Sequence, residues 1–566
     1  MRNLKRALSL ALSAAMLVGM MIVGTGASYA DVTSENNQEA IEVLQAVGIM
    51  TGDDQGNFNP DANVTRNEMA VIMCNLLDYR AASYAGTTPF TDVPSWAEPY
   101  VAACYTNGII AGYSDTQFGG ADPVTTGQAG LMIMKALGYF QEMGDFGSDW
   151  QVATVSKGSQ IQLFAGVDNG ANEALTRNDV AQMVLNALQA ESVEIRDHDL
   201  VADGNGSFTT KANYDGRAKV STWDTMEDCD TGDGLQLGEE LFEGTLALRE
   251  ATDDMGRPAM EWRYNNQEIG TYADTSILKA TYTAKVNKGD LYSLVGSTVV
   301  NELTNAVKNV NPSGSPVLDN TMLTVYVDGE RLVNPPVSNY FVRNSSAAAG
   351  AHGDKYGTGL TGNGVLTEVY MDNQDHVTIV MTSTYLLRAT SDYNETRGLV
   401  TVETVDINTD TWDTDDNTGL KMPSLPATIE QEDFDVANVR EGDYLLVTWS
   451  YMSDDLVTVE PAEVLVGTVS EYTVTDNVVI DGNKYSYNRL TGTNEKSEEF
   501  SINSDASVVL DAYGNIIYVD DAVSTNSFVY IQEFGSTSSL GVRALARAYF
   551  ADGVSDEITV DKVDDI

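Results

Sequence analysis

Cysteine, histidine and basic side chains are scarce in this chain. Its three cysteines among 566 residues, Cys74, Cys104 and Cys229, are too few and too odd in number for a disulfide framework, so stability must come from packing. Cys74 falls within an apolar helical pattern and reads as a small buried hydrophobe. The histidines, His198, His352 and His376, show no metal-ligand spacing, which argues against a zinc enzyme. Only 32 Lys and Arg stand against 83 Asp and Glu, a formal net charge of −51. Nucleic-acid and anionic-membrane binding both need a clustered basic surface and are not expected. The acidity suits a solvated extracellular surface, and no cofactor is expected beyond weak structural calcium drawn by the carboxylates. No Gly-x-Ser-x-Gly elbow, His-Glu-x-x-His or Gly-x-x-x-x-Gly-Lys phosphate-binding loop occurs, and the chain is read as non-enzymatic.

Apolar runs of membrane-spanning length are missing beyond the first thirty residues. Within those thirty, Arg2, Lys5 and Arg6 precede an apolar run over 7–23, and Ser28-Tyr29-Ala30 offers small residues for cleavage. The pattern is a secretory leader with a core too short for a retained span, and the mature chain is expected to begin near Asp31. Such a length calls for three or more domains.

What is present is repetition. Val64-Thr65-Arg66-Asn67-Glu68 is echoed by Leu175-Thr176-Arg177-Asn178-Asp179 and more loosely by Val124-Thr125-Thr126-Gly127-Gln128. In each copy a threonine precedes an acid or glutamine by three residues, the signature of a capped helix start. The following residues have helical period: Met69, Ile72, Met73, Leu76 and Leu77 in the first copy, and Val180, Met183, Val184, Ala187 and Leu188 in the third. Thirteen residues before Thr65 and Thr125 stand Gly52 and Gly112, each closing a Gly-x-x-x-Gly run, with Phe58 and Phe118 six residues further on. A glycine past a helix end permits the left-handed conformation that stops the helix, and the phenylalanines are expected to pin the loops to the helices. In the third copy Gly166 precedes Thr176 by ten residues, without the phenylalanine.

Upstream of the second copy, Phe90-Thr91-Asp92-Val93 and Trp96-Ala97 lead into a helix ending at Gly108. This succession of Phe-x-Asp-Val, Trp-Ala, Gly-Ile-x-x-Gly, an Asp-rich loop and a Thr-Arg-x-Glu helix start resembles the S-layer homology family in three copies over about residues 33–192. The resemblance implies an all-α N-terminal prism of three helical repeats with pseudo-threefold symmetry, whose inter-repeat grooves bind pyruvylated secondary cell-wall polysaccharide. A guanidinium can grip the ketal carboxylate by paired charge-assisted hydrogen bonds near a helix N-terminus. On the family pattern Arg66 and Arg177 take that role, Gly52, Gly112 and Gly166 let the sugar approach the backbone, and Trp96 lines a groove. Thr126 stands where the second repeat should carry arginine, so at most two working grooves are expected. Read on their own, the two arginines are exposed first-turn residues pairing with nearby acids.

Past Arg196 the texture becomes acidic, Gly- and Thr-rich, with short alternating apolar runs that read as mainly β sandwich or barrel modules. Asp328-Gly329 and Asp481-Gly482 sit between such runs as two-residue hairpin turns, and similar hairpins are expected around Asp372-Asn373 and Gly514-Asn515. The stretch 334–364 reads as an exposed loop. Two alternating Asp/Asn series, at Asp406, Asn408 and Asp410 and at Asp413, Asp415 and Asn417, resemble calcium loops but lack the required glycine and read as acidic turns. The expected divisions are a leader (1–30), three repeats (31–85, 86–142, 143–195) and four β-rich modules (196–290, 291–395, 396–465, 466–566). The leading functional expectation is a structural S-layer-type protein held non-covalently on the wall polymer, its β modules assembling into a surface array. Alternatives are a wall-anchored binding protein or adhesin, and an anchored carbohydrate-active enzyme.

Overall fold

The computed structural model describes residues 22–23, 29, 31–33, 36–202, 207–227, 234–306, 322–333, 335–342, 357–405, 423–473, 476–489, 500–520, 530–537, 543–549 and 555–560. Six helices occupy its N-terminal third: α1 (Gln38–Ala46), α2 (Arg66–Leu76), α3 (Glu98–Thr106), α4 (Thr126–Ala136), α5 (Trp150–Gln160) and α6 (Arg177–Gln189). The apolar stripes read from sequence face inward: Met69, Met73, Val180, Met183, Val184, Ala187 and Leu188 are fully buried. Gly48 and Gly108 carry φ of 76° and 75°, the left-handed stop that follows α1 and α3.

Beyond α6 the chain is β-rich. A long hairpin, β1 (Val193–Ala202) with β2 (Phe208–Gly216), comes first. After α7 (Leu237–Phe242) follows an antiparallel meander of β3 (Leu246–Thr252), β4 (Pro258–Tyr264) and β5 (Gln267–Ala273), with Ile22–Val23 paired on its β5 edge. Three five-stranded sheets succeed it. The first holds β6 (Leu278–Tyr282), β7 (Leu323–Val327), β8 (Glu330–Arg331), β9 (Val365–Met371) and β10 (Val377–Ser383) in the order β6-β9-β10-β7-β8. The second contains β11 (Tyr385–Ala389), β12 (Leu399–Thr404), β13 (Thr428–Glu430), β14 (Tyr444–Ser450) and β15 (Asp455–Pro461), ordered β13-β12-β11-β14-β15. The third comprises β16 (Glu463–Tyr472), β17 (Asn477–Ile480), β18 (Asn483–Ser486), β19 (Asp505–Leu510) and β20 (Ile516–Asp520), ordered β18-β17-β16-β19-β20. A three-stranded antiparallel sheet of β21 (Tyr530–Thr537), β22 (Arg543–Tyr549) and β23 (Ser555–Val560) comes last.

The hairpin chemistry holds. Asp328 and Gly329 adopt φ of 48° and 79°, and Asp481 and Gly482 adopt 48° and 76°, the doubly positive backbone of a type I′ turn. Three features depart from expectation. The β-rich part contains a helical stretch, α8 (Lys288–Ala306), interrupted at Gly296, whose φ of 87° and ψ of 160° are not helical; Leu291 and Val295 before the break and Val299 and Leu303 after it are buried. Strand β7 pairs in parallel with β10, a join that hairpins alone do not make. The stretch read as an exposed loop is buried at its described ends through Tyr340, Phe341 and Leu360. The two Asp/Asn series at 406–417 lie outside the described residues. Among the described residues no group of His, Cys, Asp or Glu gathers to hold a metal, and no helix is long and apolar enough to cross a membrane.

Packing divides the chain differently from secondary structure. One core gathers residues from Val32 to Tyr272, uniting the helices with the meander; a second gathers residues from Val286 to Leu456 together with Val509, Ala512 and Ile517; and a third, from Val469 to Ile516, lies within the third five-stranded sheet. Across the first, Trp262 is fully buried and its Nε1 donates to Glu39 Oε1 at 2.7 Å, while the Tyr272 hydroxyl donates to Glu42. Burial raises both carboxyls above their usual range. Deep in the second core, Asp328 accepts from Ser383 N (2.6 Å) and Tyr385 Oη (2.8 Å), and burial pushes it up to about 7. An acid whose folded pKa is raised binds more protons folded than unfolded, so it favours the fold at low pH. That contribution is complete below the unfolded value near 4 and is lost as pH rises through the folded one. The full chain should therefore gain stability as pH falls from 8 to 5. Asp328→Asn with Glu39→Gln and Glu42→Gln should flatten this slope in thermal melts; a slope unchanged by all three substitutions would refute the assignment.

Candidate functional site

The three capped helix starts meet at one point. Thr65 and Glu68 form a reciprocal capping box (Thr65 N to Glu68 Oε2 2.7 Å, Glu68 N to Thr65 Oγ1 3.3 Å), and Thr125 with Gln128 and Thr176 with Asp179 do the same. The residues just before the caps then hydrogen-bond in a closed ring: Val64 N to Leu175 O (3.0 Å), Leu175 N to Val124 O (3.1 Å) and Val124 N to Val64 O (2.8 Å). A second tier repeats the cycle at the first helical residue, with Arg66 N to Asp122 O, Thr126 N to Glu173 O and Arg177 N to Ala62 O. In this geometry each first-turn side chain is delivered to the loop of a neighbouring repeat.

Arg66 and Arg177 are placed accordingly, and neither is an exposed residue paired with acids. Arg66 is 4% exposed. Its Nε donates to Phe118 O (3.2 Å) and its Nη2 to Ala111 O (2.8 Å), with the guanidinium 4.6 Å from the Phe118 ring centroid and 4.7 Å from that of Tyr113. Arg177 is half-buried and repeats the pattern on the first repeat's loop: Nε to Phe58 O (2.7 Å), Nη2 to Thr51 O (2.9 Å) and the guanidinium 4.6 Å from the Phe58 ring. Burial pulls both guanidinium pKa values down, against the opposing pull of Tyr113, Asp122 and Asp92 at Arg66 and of Glu68, Tyr29, Asp31 and Asp53 at Arg177. Thr126 has only a weak Oγ1 contact to Glu173 O at 3.5 Å.

The structure thus brings Arg66 to the loop holding Gly112, and Arg177 to the loop holding Gly52. At both glycines the local crowding is intramolecular. A Cβ on Gly52 would strike the Tyr29 ring and Asn57 O, and one on Gly112 would strike the Phe90 ring and Gln117 O. Gly166 is exposed with φ of 74° and faces Gln182 of its own repeat. Trp96 is 55% exposed in the turn before α3, and among the described residues it shares no hydrogen bond or ring contact with either arginine.

Several contributors escaped the sequence reading. Asp92 accepts from Phe118 N (2.9 Å) and Gly119 N (2.8 Å), and Asp31 likewise from Phe58 N (2.8 Å) and Asn59 N (2.6 Å). Tyr29 packs its ring 5.5 Å from that of Phe58 and accepts from Gly52 N at 2.7 Å, the position that Phe90 fills beside Phe118. Tyr29-Ala30-Asp31-Val32 is therefore the first repeat's counterpart of Phe90-Thr91-Asp92-Val93. A mature chain starting at Asp31 lacks this ring, whereas one starting after Ala27 keeps it.

Comparison with known proteins identifies the family over the first two of the three repeats. The S-layer homology domain profile matches residues 28–70 and 89–129. The chain is 29% identical over 161 residues to the middle cell wall protein of Brevibacillus brevis, covering 28% of this chain and 15% of that one. It is 31% identical over 152 residues to the surface-layer 125 kDa protein of Lysinibacillus sphaericus (26% and 13%). An endoglucanase of a Bacillus strain is 29% identical over 116 residues (19% and 12%). The matched region spans about one seventh of the first two relatives' length.

Proposed function

We propose, from the premise that this is a secreted cell-surface chain carrying S-layer homology repeats, that it is a structural S-layer-type protein whose helical repeats hold it on the cell wall. In this reading the three repeats close into a prism, and the grooves beside Arg66 and Arg177 bind pyruvylated secondary cell-wall polysaccharide. The β sheets form the outer coat through lateral contacts between copies, and the chain has no catalytic role. The observation that carries the reading is the matched pair of arginines. Each is locked by two carbonyls and an aromatic face from the adjacent loop, so each guanidinium is held in one orientation before a ligand arrives. A pre-ordered fork loses little entropy on gripping a planar carboxylate.

The full chain should co-sediment with polymer-bearing walls and be lost from walls stripped of secondary polymer. Equal retention on both would defeat the anchoring role. The similarity to an endoglucanase leaves an anchored carbohydrate-active enzyme as a second reading, favoured only if the full chain releases reducing sugar from wall or plant glycans.

A further inference from the structure

We propose that Cys74 and Cys104 close into a disulfide that ties the first repeat to the second once the chain has left the cell. The two sulfurs lie 3.5 Å apart between α2 and α3, and both side chains are buried. The contact is reciprocal. Cys74 Sγ lies 3.4 Å from Tyr100 O, and Cys104 Sγ lies 3.4 Å from Ala70 O, so each thiol touches the backbone one turn before the other cysteine. Helices packed this closely bring the two side chains within bonding reach: a disulfide bond of about 2.05 Å requires the sulfurs to approach by about 1.5 Å, shared between two side chains. Cys229, which lies outside the described residues, is left as the unpaired thiol.

The inference rests on the secretion reading, because disulfides persist in oxidising compartments outside the cytoplasm. The oxidant required is a low-molecular-weight disulfide, R–S–S–R. A thiolate of the pair attacks one sulfur of R–S–S–R and expels RS⁻. The second cysteine's thiolate then attacks the protein sulfur of the mixed disulfide and expels the other RS⁻. Two electrons pass to R–S–S–R, and the two thiol protons end on two RSH molecules. Because both cysteines are buried in the folded chain, exchange takes place while the helices are still closing. The bond afterwards removes freedom from the unfolded chain between positions 74 and 104.

The test uses the whole chain extracted from the cell surface, unfolded in N-ethylmaleimide. The expected result is one adduct, on Cys229, a mass lower by two hydrogens, and a cross-linked peptide pair containing Cys74 and Cys104; three adducts overturn the proposal. In a second arm the reduced chain is refolded in glutathione buffer poised at an extracellular potential. Persistence of both thiols there overturns the pairing whatever the cellular location, whereas closure there together with a chain found only inside cells faults the secretion premise alone. Reductant should lower the melting temperature of the oxidised N-terminal unit by roughly 5–10 °C and should not affect a Cys74→Ser, Cys104→Ser chain. Equal insensitivity of the two chains also overturns it.

Discussion

Replacing Trp262 with alanine should destabilise the N-terminal core by about 3–5 kcal/mol, the usual effect of removing a fully buried aromatic side chain. Trp262 belongs by sequence to the β-rich part, yet it is fully buried in the core shared with the helical repeats. Truncation opens a cavity between β4 and α1 and removes the donor that satisfies Glu39, leaving a half-buried carboxyl with no partner from that strand. Trp262→Phe separates the two contributions, because it restores much of the volume without the indole N–H; it should cost about 1–3 kcal/mol. Differential scanning calorimetry of the full chain should show the alanine variant's first transition lowered by roughly 10 °C, with later transitions unmoved. A related expectation concerns fragments. One ending at 195 leaves α1 without its sheet and should melt below one ending at 285. Equal melting temperatures for the two fragments would show that the meander contributes nothing to the repeats.

The repeats were legible because their signals are local. A threonine three residues before an acid, a glycine at a helix stop and a 3.6-residue apolar stripe each act within one or two turns, and all three recur in the structure at Thr65, Gly48 and Met69 to Leu76. The Asp-Gly hairpins were legible for the same reason. The environment of the arginines was not. The carbonyls that hold Arg66 lie 45 and 52 residues away, and those that hold Arg177 lie 126 and 119 residues away, so composition near the arginines suggested acid partners that geometry does not supply. Tyr29 was hidden because it overlaps the leader's cleavage signal. The helical stretch α8 carries a readable signal in the apolar pairs at 291 and 295 and at 299 and 303, but the break at Gly296 between them and the surrounding acid- and Thr-rich texture mask it. The shared core was out of reach in principle, since nothing local links Glu39 to Trp262.

The two arginines should differ from the threonine that replaces them. Arg177→Ala should weaken binding of a pyruvylated wall fragment by at least tenfold, because a charge-assisted pair of hydrogen bonds contributes about 1.5–3 kcal/mol. Arg177 is the cleaner test: its side chain is half-buried, so its removal disturbs packing less than that of Arg66. Arg66→Ala should also abolish binding in its own groove, but it leaves Phe118 O and Ala111 O without donors and should lower stability by about 2–4 kcal/mol as well. Arg66→Lys tells the two effects apart. Lysine keeps the charge and can serve one carbonyl, yet it lacks the planar fork; it should recover part of the stability and little of the binding. Thr126→Ala should change affinity less than twofold, since its hydroxyl makes only a long contact to Glu173 O. In calorimetric titrations the wild-type chain should therefore show two binding sites, each arginine variant one, and the Arg66→Lys, Arg177→Ala double variant none. A large loss at Thr126 with no loss at either arginine would move the binding site away from these grooves.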